Sequence, residues 1–259
     1  MAITIKSERE IELMAEAGKI LERVHNELEK ALHPGMSTKD IDTLGEKIIR
    51  SYGCIPSFLN YNGYPASICV SVNQEVVHGI PDKHRIIHEG DIVSLDAGVI
   101  YKGYHSDAAR THAVGEVSEE AKKLIQVTKE CFFEGIKYAK AGNHLFDISG
   151  AIGRYAEERG YGVVRDLCGH GIGTALHEAP EIPNYEVGRK GVKLRPGMTL
   201  AIEPMVDLGS AEVVWMDDDW TVVTEDWSLS AHYENTILIT DGEPEICLLY
   251  TSDAADDMQ

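Results

Sequence analysis

Positive charge is scarce in this sequence. Its 24 Lys and Arg residues stand against 43 Asp and Glu residues, so the formal net charge at pH 7 is -19. A protein that binds nucleic acid through a basic face needs the opposite balance. We therefore expect no direct binding of nucleic acid. The excess acids are candidates for ligands of a site or for solvated surface, as in the run Asp217–Asp219.

Long apolar runs and paired cysteines are missing as well. No apolar run is long enough to span a membrane, and residues 1–7 lack the charged-then-apolar pattern of a signal peptide. The cysteines are widely spaced and include no Cys-x-x-Cys pair: Cys54, Cys69, Cys131, Cys168 and Cys247. Free thiols in a reduced, cytoplasmic setting are the simplest interpretation. We expect no membrane partner.

What the sequence does contain is two pairs of helices, each followed by strands. Apolar residues at helical spacing and capping or terminating residues predict the helices at 7–32, from 37 or 38 to 52, at 118–141 and at 145–159. In the first, Ser7 is the N-cap and Glu10 completes a capping box. The repeated order indicates an α+β fold with an internal duplication, in halves of about 1–116 and 117–246.

Short strands fill the rest of the chain. They are predicted at 67–72, 91–98, 108–115, 162–167, 199–206, 212–216, 221–224, 232–240 and 244–250. The strands 91–98 and 108–115 form a hairpin that turns near Gly103, and Asp107 opens the returning strand. This hairpin is expected to bring Asp96 and Asp107 side by side.

Two segments of the chain carry matching acids. Gly90–Asp96 ends in an acid and is followed by Tyr104–Asp107, while Gly197–Glu203 ends in an acid and is followed by Ala231–Glu234. Between them, Cys168–Gly173 holds one His between glycines. Such a set of carboxylates with one imidazole suits Mn, Fe(II), Co or Zn. The ligands exceed what one open catalytic ion needs, so two metals sharing bridging carboxylates are expected.

Six short motifs follow one another along the chain: Asn73–Pro81, Ser94–Gly98, His105–Asp107, Gly169–Gly173, Glu203–Pro204 and His232–Thr236. In this order and at these separations they resemble the motifs of type I methionine aminopeptidases, over residues 1–246. The resemblance implies the pita-bread fold, in which two pseudo-symmetric halves place an antiparallel sheet inside and helices outside. It also implies one catalytic domain over 1–246.

A dinuclear metal site is part of what the resemblance implies. Asp96 would bind one ion, Asp107 and Glu234 would bridge both ions, and His170 and Glu203 would complete the other. The alternative is a set of surface acids with one core His. The choice among Co, Mn, Fe(II) and Zn stays open, because affinity order and cellular supply decide it together. The resemblance further implies a monovalent cation near Asn73 and Ser230.

The resemblance also implies three catalytic roles. Glu203 would manage the proton of the attacking water, and His177 would donate to the carbonyl oxygen of the scissile bond as negative charge develops on it. His78 would contact the substrate backbone nearby. For each His the alternative is an ordinary structural residue.

An apolar slot for the methionine side chain completes the implied site. Its residues are Phe58, Tyr61, Tyr64, Cys69, Leu176 and Trp220. Thioether sulfur packs well at aromatic edges, which suits such a slot. The alternative is that these residues belong to the core, above all Cys69 and Tyr64.

The implied activity is removal of the initiator methionine from nascent chains whose second residue is small. The ribosome is a candidate partner, and a monomer is the expected form. The rival enzymes are pita-bread peptidases that cleave before proline, which usually carry a large extra N-terminal domain. The rival without catalysis is a pita-bread binding module, of a kind that tends to lose metal ligands. The absence of a zinc-binding N-terminal extension and of a long insertion between His177 and Glu203 favours the type I form.

Residues 247–259 stand apart from the motifs. Cys247–Asp257 reads like a translated sequencing adapter, which gives the hypothesis that the natural C-terminus is replaced after about Ile246. The alternative is a final strand followed by a short acidic tail.

Overall fold

The helices come in two pairs, and the structure, a computed structural model, describes residues 2–246. They are α1 (Glu8–Ala31), α2 (Thr38–Ser51), α3 (Glu119–Ile136) and α4 (Leu145–Glu157). Helix α1 has the predicted capping box, in which Glu10 Oε2 accepts a hydrogen bond from the Ser7 N–H at 2.7 Å.

Helix α3 ends at Ile136, five residues before its predicted end. The apolar pattern continues through Ala139, which is buried. However, the Ala139 N–H bonds only three residues back, to Ile136 O at 2.9 Å, and the Gly142 N–H bonds the distant Leu194 O at 3.0 Å. The chain therefore turns into the core instead of extending the helix.

Strands form one large and two small antiparallel sheets within residues 2–246. The strands are β1 (Ile55–Pro56), β2 (Ile68–Val72), β3 (Glu75–Val77), β4 (Ile92–Tyr101), β5 (Tyr104–Ala113), β6 (Gly162–Val163), β7 (Gly169–Gly171), β8 (Glu178–Ile182), β9 (Thr199–Ile202), β10 (Met205–Asp207), β11 (Val213–Trp215), β12 (Val222–Thr224), β13 (Ser230–His232), β14 (Glu234–Leu238) and β15 (Glu245–Ile246). The large sheet has the order β1-β4-β5-β14-β9-β7-β8, with β2 on β4 and β15 on β14. The small sheets are β13-β10-β6 and β11-β12-β3.

The predicted final strand is observed only in part. It was placed at 244–250, and β15 accounts for Glu245–Ile246. Its remainder lies outside the described residues, as does the adapter hypothesis for 247–259.

The β4–β5 hairpin is longer than predicted. Asp107 does not open the returning strand, because a tight turn at Lys102 and Gly103, both at positive φ, lets β5 begin at Tyr104. Asp96 lies opposite Ala109, and Asp107 lies opposite Gly98. The two acids are therefore diagonal neighbours on one face of the hairpin.

Strands β14, β9 and β7 bring the second set of motif residues to the same part of the sheet. Glu234 opens β14 opposite Ala109, and His170 of β7 lies opposite Ala201 of β9. Glu203 directly follows β9. Strands β7 and β8 have no counterpart among the predicted strands, because Gly-His-Gly shows no apolar alternation.

Helices cover the sheet from outside. Helix α1 packs on β4 and β5, and α3 packs on α4 and β13. The first pair of helices covers a cluster that includes Leu21 and Leu95, and the second pair covers one that includes Phe132 and Ile237. Among the helices of residues 2–246, none is long and apolar enough to cross a membrane.

Candidate active site

One cavity of about 330 Å³ is lined by every residue predicted for metal binding, catalysis or the methionine slot. The predicted residues in its lining are Phe58, Tyr61, Tyr64, Cys69, His78, Asp96, Asp107, His170, Leu176, His177, Glu203, Trp220 and Glu234. Asn62 is an additional lining residue that was not predicted, and Asn73 and Ser230 do not line this cavity.

The charged end of the cavity gathers acids around one imidazole. Asp107, His170 and Glu234 each offer a ligand atom within 4.8 Å of the other two. His170 Nε2 lies 3.9 Å from Asp107 Oδ2 and 3.7 Å from Glu203 Oε1. Asp96 joins the group through its diagonal position beside Asp107.

The orientation of His170 is fixed by its own strand. Its Nδ1 lies 2.9 Å from Gly171 O, and because a carbonyl oxygen can only accept, Nδ1 carries the proton. The lone pair of Nε2 then points toward the acids. Glycine at position 171 lets β7 lie this close to β8, since a Cβ there would be only 2.2 Å from Ala179 O.

The acids of this group are removed from water and have little to neutralise them. Burial raises the pKa of Asp107 to about 8. Burial, and then repulsion from Asp107, raises the pKa of Asp96, Glu203 and Glu234 above the usual range. Burial lowers the pKa of His170 to about 3, so its imidazole is neutral at pH 7.

The donor set fits divalent metal ions. Three buried carboxylate oxygens of this group have no hydrogen-bond partner within residues 2–246: Asp96 Oδ1, Asp107 Oδ1 and Glu234 Oε1. Among the residues that the structure describes, no Lys or Arg lines the cavity. Buried acids in this situation need protons or cations, and a neutral imidazole beside them selects borderline metals.

Two further histidines, His78 and His177, line the same cavity. His177 Nδ1 lies 2.8 Å from Tyr61 Oη, and the His177 ring is 4.2 Å from the ring of His170. His78 has a positive φ of 60, and its ring meets Trp220 edge-on at 6.2 Å. Burial, and then the nearby His177, lowers the pKa of His78 to about 4.

The predicted slot residues form the apolar wall of the cavity. Tyr64 donates a hydrogen bond to Gly79 O at 2.9 Å and meets Trp220 edge-on at 5.1 Å. Cys69 of β2 lies directly opposite Asp96 of β4, so the apolar wall extends to the charged end. Cys69 and Tyr64 are both buried and both line the cavity, so they belong to the core and to the site at once.

One residue next to the site has no predicted role. His232 is buried, neither of its ring nitrogens has a hydrogen-bond partner, and its Nε2 lies 3.8 Å from Glu203 Oε2. A signal for it existed in the sequence, since it opens the second of the two His-x-acid triplets.

Known proteins share both the sequence and the fold. Residues 12–241 match the model of metallopeptidase family M24. The chain is 59% identical to the methionine aminopeptidase of Clostridium acetobutylicum, over 95% of this chain and 99% of that protein. The chain belongs to this family.

Solved structures of the methionine aminopeptidase family confirm the predicted α+β pita-bread fold. The crystal structure of methionine aminopeptidase from Thermotoga maritima gives a TM-score of 0.93 at 47% identity, covering 95% of this chain and 99% of that one. An Xaa-Pro dipeptidase from Bacillus anthracis gives 0.77 at 27% identity, and the match covers 62% of its chain. The rival peptidases thus share the fold, but the methionine aminopeptidases are much more similar.

Proposed function

We propose that this chain removes the N-terminal methionine from peptides and nascent proteins whose second residue is small, in a reaction that depends on two divalent metal ions. The observation that carries the proposal is a single cavity in which four acids and a neutral His adjoin an apolar wall. Membership of metallopeptidase family M24 supports the same activity.

The proposed ligands are the five residues of the charged end. Asp96 would hold one ion, Asp107 and Glu234 would be shared by both, and His170 and Glu203 would hold the other. The unpartnered oxygens of Asp96, Asp107 and Glu234 and the free lone pair of His170 support this assignment. When bound, the ions would supply an activated water and polarise the scissile carbonyl. Co, Mn, Fe(II) and Zn all suit the set.

Three side chains are proposed to carry out proton transfer, stabilisation of the carbonyl oxygen and contact with the substrate backbone. Glu203 holds the proton of the attacking water and passes it to the leaving amine, a role that a raised pKa supports. His177 Nδ1 lies 2.8 Å from Tyr61 Oη. In this proposal Tyr61 donates its hydroxyl hydrogen to Nδ1, so the His177 proton is on Nε2. From there His177 donates to the carbonyl oxygen as negative charge grows on it. His78 contacts the substrate backbone.

Substrate choice is assigned to the apolar wall. An unbranched thioether would lie against the rings of Tyr64 and Trp220, which contact each other edge-on at 5.1 Å, and sulfur makes favourable contacts with such rings. Phe58 and Leu176, both buried, close the slot. The neutral thiol of Cys69, whose pKa burial raises, adds no charge.

Outside the cavity we infer a monovalent cation near Asn73 and Ser230. The Ser230 N–H donates to Asn73 O at 2.9 Å. Support comes from buried oxygens without a hydrogen-bond partner, Ser230 Oγ and both oxygens of Asp207, which lies opposite Ser230.

We further infer a cytoplasmic monomer that meets nascent chains at the ribosome. The acidic net charge of -19 argues against attachment to ribosomal RNA by charge alone. We also infer one catalytic domain over residues 1–246, with halves of about 1–116 and 117–246. The separate clusters under each pair of helices support this division.

The test is release of methionine from the peptide Met-Ala-Ser by metal-stripped protein, before and after addition of Mn, Co, Fe(II) or Zn, with an Xaa-Pro peptide beside it. We expect release that needs metal and an untouched Xaa-Pro peptide. Cleavage of only the Xaa-Pro peptide would assign the chain to the proline-specific peptidases. No cleavage of either peptide by folded, metal-loaded protein would overturn an enzymatic role.

A further inference from the structure

Lys6 is a buried lysine outside the catalytic cavity. It is 8% exposed, although lysine is almost never buried unless it is paired. Its Nζ donates to Glu178 Oε2 at 2.6 Å and also to Thr4 Oγ1. Thr4 Oγ1 in turn donates to the same carboxylate oxygen at 2.6 Å. Solvent reaches only 5% of the Lys6 side chain and 13% of the Glu178 side chain, so the ion pair is shielded from water.

The partner of this lysine opens strand β8, directly after the loop that carries His177. Glu178 directly follows His177, and its other oxygen, Oε1, accepts a hydrogen bond from the Ala175 N–H at 3.3 Å. A Cβ on residue 173 would lie 2.4 Å from Glu178 Oε1 and 2.6 Å from Lys6 Cε, so the loop passes directly over the ion pair. The carboxylate is therefore an internal anchor for residues 173–177.

The ion pair is charged. Burial acts to raise the pKa of Glu178, but the hydrogen bonds from Lys6 and Thr4 outweigh it and hold that pKa below its usual value. Glu178 is therefore ionised at neutral pH.

The backbone of residues 173–177 forms few hydrogen bonds of its own. The Gly173 N–H donates to Ala175 O at 3.1 Å, and the His105 N–H donates to Gly173 O at 2.8 Å. The segment Thr4–Lys6, in contrast, is fixed to the sheet, because the Lys6 N–H donates to Gly197 O at 2.8 Å just before β9. It can therefore transmit the rigidity of the sheet to the loop.

We propose that Lys6 is a positioning residue of the active site, which acts through Glu178 to hold the loop 173–177 so that His177 faces the scissile carbonyl. The inference rests on the proposed role of His177. A donor that acts on developing charge must be placed accurately, since a small displacement from outside the site costs turnover. Breaking the ion pair is expected to lower kcat and to leave the metal ligands in place.

Steady-state kinetics on Met-Ala-Ser with metal-loaded, full-length protein tests the proposal. We expect Lys6→Met to lower kcat by about 10- to 100-fold and to change KM by less than about threefold. Metal affinity, measured by calorimetric titration of Mn, stays unchanged. The matched control is Lys137→Met, which breaks a pair of the same 2.6 Å length that is exposed to 63% and 34%. The control should retain wild-type kcat.

A double-mutant cycle separates positioning from a general structural role. Added to His177→Ala, Lys6→Met should cause no further loss of kcat, because its effect passes through His177. Lys6→Arg keeps the charge and should restore most of the lost kcat. A further tenfold loss in the His177→Ala background, or a wild-type kcat for Lys6→Met, would overturn the inference.

Two safeguards keep the result interpretable. If the unpaired Glu178 charge prevents Lys6→Met from folding, the double variant Lys6→Met, Glu178→Gln removes both charges, and its kcat should fall by the same factor. If His177→Ala itself keeps wild-type kcat, the proposed role of His177 fails. If His177→Ala loses kcat and Lys6→Met does not, only the positioning role of Lys6 fails.

Discussion

Most residues of the charged end of the cavity lie on strands, whereas most residues of its apolar wall lie in loops. Asp96, Asp107, His170 and Glu234 lie on paired strands of the large sheet. Phe58, Tyr61, Leu176 and Trp220 lie in loops or in a short 3-10 turn, and only Cys69 comes from a strand. Metal ligands need accurate placement, while a slot for a flexible side chain tolerates adjustment. The difference predicts that changes at the charged end abolish the reaction and that changes in the wall retune it.

The largest expected effect is at Glu234. Glu234→Gln removes a ligand charge shared by both proposed ions, so kcat/KM on Met-Ala-Ser should fall at least about 1000-fold, or roughly 4 kcal/mol of transition-state stabilisation. Calorimetry should show that the variant binds less Mn. Glu225→Gln, at an exposed acid directly after β12, is the control. Full activity of Glu234→Gln would contradict the prediction that changes at the charged end abolish the reaction.

His177 tests the boundary between the two ends. His177→Ala removes a donor to developing charge, so kcat should fall about 100- to 1000-fold. Mn affinity should stay at the wild-type value, because His177 is not among the proposed ligands. A fall in bound metal would mean that His177 belongs to the charged end instead.

Asp207 sharpens the comparison, because it is a buried acid away from the others. Burial raises its pKa to about 7. Since this folded-state pKa exceeds the unfolded value of about 3.9, the contribution of Asp207 to stability is most favourable below pH 4 and is lost as pH rises toward 7. Asp207→Asn removes this penalty, so above pH 7 the variant should be more stable by about 2–4 kcal/mol.

Urea unfolding of metal-loaded protein between pH 4 and 8 measures this difference, with the exposed Asp241→Asn as control. Added KCl should reduce the difference if a monovalent cation near Ser230 neutralises the carboxylate. Equal stability of wild type and Asp207→Asn at pH 8 without potassium would refute the prediction.

The smallest effect is expected in the apolar wall. Phe58→Leu keeps bulk but loses the aromatic edge, and sulfur–aromatic contacts are worth about 0.3–1.5 kcal/mol. The value of kcat/KM for Met-Ala-Ser should therefore fall by about two- to tenfold, mostly through KM, with metal binding unchanged. Phe133→Leu, on helix α3, is the matched control. A thousandfold loss in Phe58→Leu would erase the distinction between wall and charged end.

Features that depend on neighbours in the chain could be predicted from the sequence. The capping box of α1 and the β4–β5 hairpin follow from local patterns, although the hairpin register was displaced by the tight turn at Lys102 and Gly103. The identity of the cavity residues, apart from Asn62, followed from the motifs and from the family resemblance that they carry. Their arrangement around a single cavity required the folded chain.

Contacts between distant residues could not be predicted. Lys6 and Glu178 are 172 positions apart, and nothing local marks either as half of a buried pair. Strand β7 exists only through its pairing with β8 and β9, since three residues have no strand signal of their own. His232 acquires its place beside Glu203 only when β13 pairs with β10, where His232 lies opposite Met205.

The crowding of acids in the cavity has a consequence for the abundance of the protein. With the pKa of Asp107 raised to about 8, an entering ion displaces protons, so metal affinity rises with pH. An ion that binds only the folded chain adds about 2.7 kcal/mol of stability at a hundredfold excess over its Kd. Starvation for metal therefore removes folded molecules as well as turnover, because unfolded chains are exposed to proteolysis. We therefore expect the metal supply to affect the amount of folded protein as well as its rate of turnover.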